Sequence, residues 1–364
     1  MVSTLDCTFM AQALRLAEQG LYTTTPNPRV GCVIVNNQKI VGEGAHLKAG
    51  EPHAEVFALR QAGALAKGAD IYVTLEPCSH TGKTPPCVHA VIAAQPKRVI
   101  VAMQDPNPLV AGQGIAAMRN AGIEVNVGVM EKEANALNIG FVSRMTRGLP
   151  FVRSKVAASL DGKTALNNGK SQWITGEAAR LDVQHWRAQS CAILTGVGTV
   201  LADNPSMTVR LPNISRQPLK VIVDSHLKTP SDAHILQHGQ VLIAFASDPH
   251  NRAKALQAAG VELLALSNQN GRVDIKALLI NLAQRGVNEV LLEAGQGLNG
   301  ACLQEDLIDE LLLYYAPKLM GTEAQGMFAM TAFTQMQQAV QLNILDIRQV
   351  GVDIRLRARP VKST

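Results

Sequence analysis

The stretch LEPCSHTGKTPPC, Leu75 to Cys87, closes the apolar run DIYVTL and hands over to a helical pattern at its second Pro-Cys pair. A strand that ends in one cysteine and a helix that opens on another bring two thiols to the same end of a layered fold. Three outcomes are open to such a pair: a disulfide, two idle thiols, or two ligands of a metal.

Upstream, PHAE (Pro52 to Glu55) opens a helical pattern from His53 to Ala66. Before it, GCVIVNNQKIVGEG reads as a hairpin turning at Asn36 and Asn37. The first helix is expected from Asp6 to Gln19, with Asp6 as N-cap and Gly20 as its stop. Downstream follow a helix from Pro86 to Ala94, the strand RVIVAM, a helix from Ile115 to Ala121 and the strand IEVNV. Strands separated by helices predict an α/β sandwich whose sheet is largely parallel beyond the hairpin.

In SRMTRGLPF, Ser143 to Phe151, the basic residues with Gly148 and Pro150 break the pattern and mark a boundary. It divides the chain into expected domains of residues 1–147 and 148–364. The alternation then restarts with VRSKVAAS, a helix from Ala178 to Arg187, CAILTG, PLKVIVDS, QVLIAFA, a helix from His250 to Ala259, VELLAL, a helix from Ile275 to Gln284, and NEVLLEAG. This half reads as an independent α/β domain. A length of 364 residues suits two cores better than one.

The composition is globular, with 47% apolar and 17% charged residues. The net charge of +5 is spread without a Lys/Arg block, which argues against a nucleic-acid-binding arm and suits small anionic ligands. MVSTLDCTFM lacks a signal-peptide pattern and no apolar run reaches the roughly 18 residues of a membrane span, so a cytoplasmic protein without membrane partners is expected. The six cysteines have no disulfide-framework rhythm, so a close pair points to a metal before a bridge.

His53, Cys78 and Cys87 all stand at element ends. One imidazole and two thiolates suit Zn²⁺, one ion per chain, and leave the fourth tetrahedral position for water, the pattern of a catalytic rather than a closed site. The helix opening at Cys87 is expected to favour that thiolate through its dipole. Glu55, two residues past His53, shares the site only at an irregular first turn, where it can serve as acid and base. His-x-Glu followed by Pro-Cys is a signature of zinc deaminases. A structural zinc would recruit a fourth ligand, for which His80 is the candidate.

PNPRVGCVIV, GEGAHLKAGEPHAE and TLEPCSHTGKTPPC together resemble the cytidine-deaminase superfamily, and most closely the deaminase half of the bifunctional RibD family of riboflavin biosynthesis. The resemblance implies His53, Cys78 and Cys87 as zinc ligands and Glu55 as proton shuttle. It implies Asn27, His46, Asp105, Asn107 and Lys83 as substrate-facing positions, Lys83 meeting the ribose phosphate. Read as residues alone, Asn27 and the Asp-Pro-Asn-Pro pair also fit plain turn chemistry.

In the second half TGVGT (Thr195 to Thr199) and EAGQGLNG (Glu293 to Gly300) each follow a strand, and Gly-rich turns there let backbone N–H groups approach an anion. KVAASLDGKTA, SQWITG, LTGVGTVLADNPSMTVR and EAGQGLNG resemble the RibD reductase half, which implies a dihydrofolate-reductase-like α/β fold that uses NADPH. The family's usual Glu-Gly-Gly-Pro reads Glu293-Ala294-Gly295-Gln296 here. By that resemblance Ala157, Trp173, Thr199, Asp203, Ser225, Gly295, Gln296, Gly297, Leu298, Asn299, Gly300 and Ala301 line NADPH. Ser171, Arg187, Met207, Arg210 and Glu293 hold the substrate, and Lys155 and Asp203 polarise or protonate the reduced centre.

The resemblance thus implies zinc deamination of a phosphoribosylamino-pyrimidine followed by NADPH reduction of its ribosyl group, in a homodimer or homotetramer. A nucleic-acid deaminase of the tRNA-adenosine type, the alternative, leaves the second half without a task.

Overall fold

The structure is a computed structural model and describes residues 3–79 and 86–361. It divides into two compact units, residues 1–149 and 150–364.

In the first unit α1 (Thr4–Glu18) precedes the hairpin β1 (Gly31–Asn36) and β2 (Lys39–Ala45), then α2 (Ala54–Ala62), β3 (Asp70–Leu75), α3 (Cys87–Ala93), β4 (Arg98–Met103), α4 (Gln113–Asn120), β5 (Glu124–Val127), α5 (Glu131–Leu137) and α6 (Ile139–Arg147). The sheet order is β2-β1-β3-β4-β5. β1 is antiparallel to both neighbours and β3, β4 and β5 are parallel. The N-cap of α1 is Ser3, not Asp6: Asp6 accepts from the Ser3 backbone while its own N–H donates to Ser3 Oγ at 3.2 Å, a reciprocal box that uses Asp6 at the third helical position. Ser143 to Arg147, inside the expected boundary segment, completes α6, which ends at Gly148 in the left-handed conformation.

Two glycines set how closely helices lie on the hairpin. A Cβ on Gly31 would stand 1.9 Å from the Ala13 carbonyl oxygen of α1, and one on Gly44 2.1 Å from that of Ala54 in α2. Since Cys32 is paired with Gly44, its side chain shares the α2 face, and Cys32 is fully buried there.

The second unit contains β6 (Phe151–Ser159), β7 (Lys163–Ala165), α7 (Glu177–Gln189), β8 (Ala192–Gly196), α8 (Val197–Asp203), β9 (Leu219–Val223), β10 (Val241–Phe245), α9 (Ala253–Ala258), β11 (Glu262–Ala265), α10 (Ile275–Gln284), β12 (Glu289–Leu292), α11 (Gln296–Gln304), β13 (Glu310–Ala316), β14 (Gln325–Gly326), β15 (Leu342–Val350) and β16 (Asp353–Pro360). Its large sheet has the order β11-β10-β9-β8-β12-β6-β13-β16-β15. From β11 to β13 all pairs are parallel. The β13-β16-β15 end is antiparallel. Strands such as Val290–Leu292 and Ile193–Leu194 are fully buried, as a sheet covered on both faces requires. Successive strands run outward from β8 to β11, whereas β12 returns between β8 and β6, so a crevice opens at the carboxyl ends of β8 and β12.

Candidate active sites

In the first unit His53 is the extended N-cap of α2, and Cys87 is the first residue of α3. Both face the end of β3, three residues before Cys78. His53 Nδ1 lies 3.1 Å from Cys87 Sγ and 3.6 Å from Cys78 Sγ, and the three atoms fall within 4.8 Å of one another. Among the described residues this is the group of His, Cys, Asp and Glu able to hold a metal ion.

The electrostatics are those of a metal-ready thiol pair. A hydrogen bond shared with Cys87 pushes the Cys78 thiol down to about 4, while the same sharing pushes Cys87 up. The amide that opens α3, Cys87 N–H, donates to Cys78 Sγ at 3.2 Å, so the helix start serves Cys78 and not the Cys87 thiolate that the sequence pointed to. Hydrogen bonding to Cys78 raises His53.

Glu55 enters the same place from the first turn of α2. It is 3% exposed, burial raises its carboxyl to about 7, and its Oε2 is a buried oxygen without a hydrogen-bond partner. A polar atom left unpaired in the interior costs about 1–3 kcal/mol. A water held by a metal at the His/Cys/Cys group would satisfy it, so donor set and orphaned oxygen both fit zinc.

Asn27 and His46 meet beside this group. The His46 ring lies 5.1 Å from that of His53, edge on. Its Nδ1 is 3.2 Å from the Pro52 carbonyl, which only accepts, so the proton sits on Nδ1. Burial lowers the His46 pKa, leaving Nε2 as acceptor for the Asn27 amide at 3.1 Å. Arg29, two residues on, exchanges backbone bonds with the Asn138 side chain at 2.8 and 2.9 Å, which moors the Asn27 loop.

Asp105 and Asn107 are placed in a turn of their own making: Asn107 N–H donates to Asp105 Oδ1 at 2.8 Å and Leu109 N–H to Asn107 Oδ1 at 3.2 Å. Lys83 and His80 lie outside the described residues.

Glu76 escaped the reading of the sequence. Its carboxylate accepts from Gly114 N and Ile115 N through Oε1, at 2.8 and 3.1 Å, and from Gly112 N and Asp105 N through Oε2, at 2.9 and 3.1 Å. One buried side chain between β3 and Cys78 thereby anchors the Asp105 loop and the start of α4. The signal was an acidic residue at a buried strand end. Glu76→Gln turns one acceptor oxygen into a donor facing N–H groups and is expected to cost about 2–4 kcal/mol in denaturant unfolding of this unit. Unchanged stability would remove the anchoring role.

In the second unit the substrate-class residues converge on Glu293, at the end of β12. Arg187 of α7 grips it through both nitrogens, Nε to Oε1 at 2.6 Å and Nη2 to Oε2 at 3.0 Å. Lys155 Nζ on β6 stands 3.8 Å from Oε2. Burial lowers the Lys155 pKa, partly opposed by Glu293 and reinforced by Arg187. Arg187, Lys155 and Arg210 together hold the buried Glu293 carboxyl below its ordinary value despite desolvation. Met207 is buried next to this stretch of chain, and Arg210 N–H is tied to Gln184 Oε1 of α7 at 2.9 Å.

Asp203 accepts from Ser171 Oγ at 3.0 Å, so a residue expected at the substrate and one expected at the cofactor touch. Trp173 is 66% exposed, stacked by Arg180 at 4.9 Å.

The Gly-rich turns meet at the switch crevice. Gly196 and Gly295 are the N-caps of α8 and α11, and a Cβ on Gly295 would lie 4.0 Å from Thr199 Oγ1. The first N–H groups of a helix have no partner within it, so these two helix starts, together with the buried unpartnered Thr195 hydroxyl in β8, fit a nucleotide phosphate. Gln296, Gly297, Leu298 and Ala301 stay accessible, and so does Ala157 on β6. Asn299 and Gly300 turn inward: Asn299 accepts from Ser154 Oγ and donates to the Ala294 carbonyl, and the Ala329 backbone crowds Gly300. Ser225 Oγ, at the end of β9, accepts from Val273 N–H at 3.2 Å.

The family model for the cytidine and deoxycytidylate deaminase zinc-binding region matches residues 3–103, and that for the RibD C-terminal domain matches residues 150–356. Riboflavin biosynthesis protein RibD of Escherichia coli is 46% identical over 361 residues, covering 96% of this chain and 97% of that protein. The same-named protein of Bacillus amyloliquefaciens is 46% identical, with 97% and 95% covered. Among solved structures, Acinetobacter baumannii RibD superposes with a TM-score of 0.92 at 49% identity, over 98% of this chain and 99% of that one. A diaminohydroxyphosphoribosylaminopyrimidine deaminase/5-amino-6-(5-phosphoribosylamino)uracil reductase from Thermotoga maritima gives 0.88 at 34% identity, with the same coverage.

Proposed function

Because the chain belongs to the RibD family of bifunctional riboflavin-biosynthesis proteins, a deaminase joined to a reductase, we propose how its residues divide the two reactions. The enzyme hydrolytically deaminates 2,5-diamino-6-(5-phosphoribosylamino)pyrimidin-4(3H)-one to 5-amino-6-(5-phosphoribosylamino)uracil, then reduces the ribosyl group with NADPH to the ribityl product. The observation that carries the residue assignment is the convergence of His53, Cys78 and Cys87 beside the orphaned Glu55 oxygen.

His53, Cys78 and Cys87 would hold the zinc. When bound, that ion supplies an acidified water and a Lewis acid. Glu55, poised near neutrality by burial, takes the proton of the attacking water and delivers it to the departing amine as the C–N bond breaks and a C–O bond replaces it. Asn27 and His46 orient the pyrimidine edge, and Lys83 meets the ribose phosphate. Asp105 and Asn107 shape the wall opposite, held by Glu76.

In residues 148–364 NADPH supplies the hydride. The Thr199 and Gly295 to Ala301 turns, with Ala157, Trp173, Asp203 and Ser225, position it. Arg187 and Arg210 supply guanidinium charge for the substrate phosphate, Ser171, Met207 and Glu293 complete its pocket, and Lys155 gives the proton. The functional form is a homodimer or homotetramer in the cytoplasm. Among the described residues no helix is long and apolar enough to cross a membrane.

The test supplies the diaminopyrimidine phosphate in one tube and follows ammonia release and NADPH oxidation. A zinc chelator is expected to stop both, whereas the aminouracil phosphate supplied directly restores NADPH oxidation alone. Ammonia release that survives stripping of the metal sinks the zinc assignment.

A further inference from the structure

Between β7 and α7 runs SQWITG, Ser171 to Gly176, which carries two residues of the proposed reductase site, Ser171 and Trp173. Four side chains from four parts of the fold hold it. Asp203 of α8 accepts from Ser171 Oγ at 3.0 Å. Lys318, beyond β13, donates from Nζ to the Trp173 carbonyl at 3.2 Å. Arg180 of α7 donates from Nη1 to the Thr175 carbonyl at 2.7 Å, and Asp353 of β16 accepts from Gly176 N–H at 2.8 Å. Of the four, only Asp203 belongs to the proposed site.

Arg180 makes a second contact with the same loop. Its guanidinium lies 4.9 Å from the centroid of the Trp173 ring. A flat, delocalised cation can stack on an indole while its edge N–H groups bond a carbonyl, whereas the compact ammonium of a lysine cannot do both from one place. Trp173 is 66% exposed, so little packing fixes its ring, and it keeps open surface for a flat ring of the cofactor. Ordering such a side chain when a ligand arrives costs affinity, and a contact that orders it beforehand removes that cost.

We propose that Arg180 is a positioning residue of the reductase half: by stacking on Trp173 and bonding Thr175 it holds the indole ready for NADPH, while Lys318 fixes the same residue by its carbonyl. The inference rests on the reading that Trp173 lines NADPH, and adds what keeps it in place.

The experiment measures the NADPH KM and kcat on the aminouracil phosphate for a cycle of Arg180→Met, Trp173→Ala and the double variant. Arg180→Met is expected to raise the NADPH KM about 5–20-fold, the combined loss of a stacked cation and a hydrogen bond, with kcat and the KM of the aminouracil phosphate each held within about 2-fold. Trp173→Ala is expected to raise it at least as much. Adding Arg180→Met to Trp173→Ala is expected to change it less than about 2-fold, because a residue that acts through the indole has nothing to hold once the indole is gone. If Arg180→Met does not fold, Arg180→Lys, which keeps the stem and the charge, takes its place in the cycle and is expected to raise the NADPH KM in the same way. An unchanged NADPH KM in Trp173→Ala overturns the reading of Trp173 and the proposal with it. A raised KM in Trp173→Ala beside an unchanged one at Arg180, or an Arg180 effect that persists undiminished in the double variant, overturns the positioning role and leaves Trp173 at the cofactor. A rise shared equally by the aminouracil phosphate marks a general loosening of the loop and overturns the positioning role as well.

Discussion

Glu55→Gln is expected to slow ammonia release by about 10²–10⁴-fold, the range lost when a positioned acid/base group is removed. The substitution keeps the shape of the side chain, so the packing of α2 against the hairpin is undisturbed. What goes is the ability to gain and lose a proton at a site where burial has raised the carboxyl to about 7. His53, Cys78 and Cys87 supply the three ligand atoms without that carboxyl, and glutamine can still accept or donate a hydrogen bond beside Cys87, so the purified variant should retain stoichiometric zinc by elemental analysis. NADPH oxidation on the aminouracil phosphate should also persist. A zinc-loaded variant that releases ammonia within about 3-fold of the unmodified rate would falsify the shuttle, since no acid/base role is that small.

Lys155→Met is expected to lower NADPH oxidation by a similar ~10²–10⁴-fold while ammonia release continues. Methionine fills much of the lysine's volume, so the loss isolates the ammonium group. Burial and the Arg187 charge depress the Lys155 pKa, which eases transfer of its proton to an oxygen or nitrogen freed by hydride addition. Glu293 is retained by Arg187 through two hydrogen bonds and does not need Lys155 to stay in place. NADPH affinity, followed by fluorescence quenching, should therefore be unaltered. If affinity falls and the rate at saturation does not, Lys155 belongs to cofactor binding instead.

The zinc group was legible because its side chains are chemically rare and stand at element ends where turn residues announce them: Pro52 before His53, Pro77 before Cys78, Pro86 before Cys87. The parallel strands were legible as short apolar runs. Glu76 was not, since its partners are backbone amides from Asp105 to Ile115 and backbone donors leave no mark on side-chain pattern. Asn299 and Gly300 sit in a motif that suggests phosphate contact, and in this fold they also pack α11 against Ser154 and Ala329, a second duty that the motif does not announce. The strands from β13 to β16 went unread: β13 is buried almost throughout, and in β15 the bulge between Ile344 and Asp346 breaks the period of two. The start of α1 was misjudged by one step of the same chemistry, since Ser3 and Asp6 can each cap and only the reciprocal bond decides which does.

The close approach at Gly31 and Gly44 carries a consequence for how this protein can drift over generations. Surface loops in general tolerate changes of length and composition. The floor beneath them cannot, because even one methyl group at either glycine would have to displace a helix backbone by more than an ångström. The helices α1 and α2 thus rest on the hairpin at a separation that only a hydrogen atom at positions 31 and 44 permits.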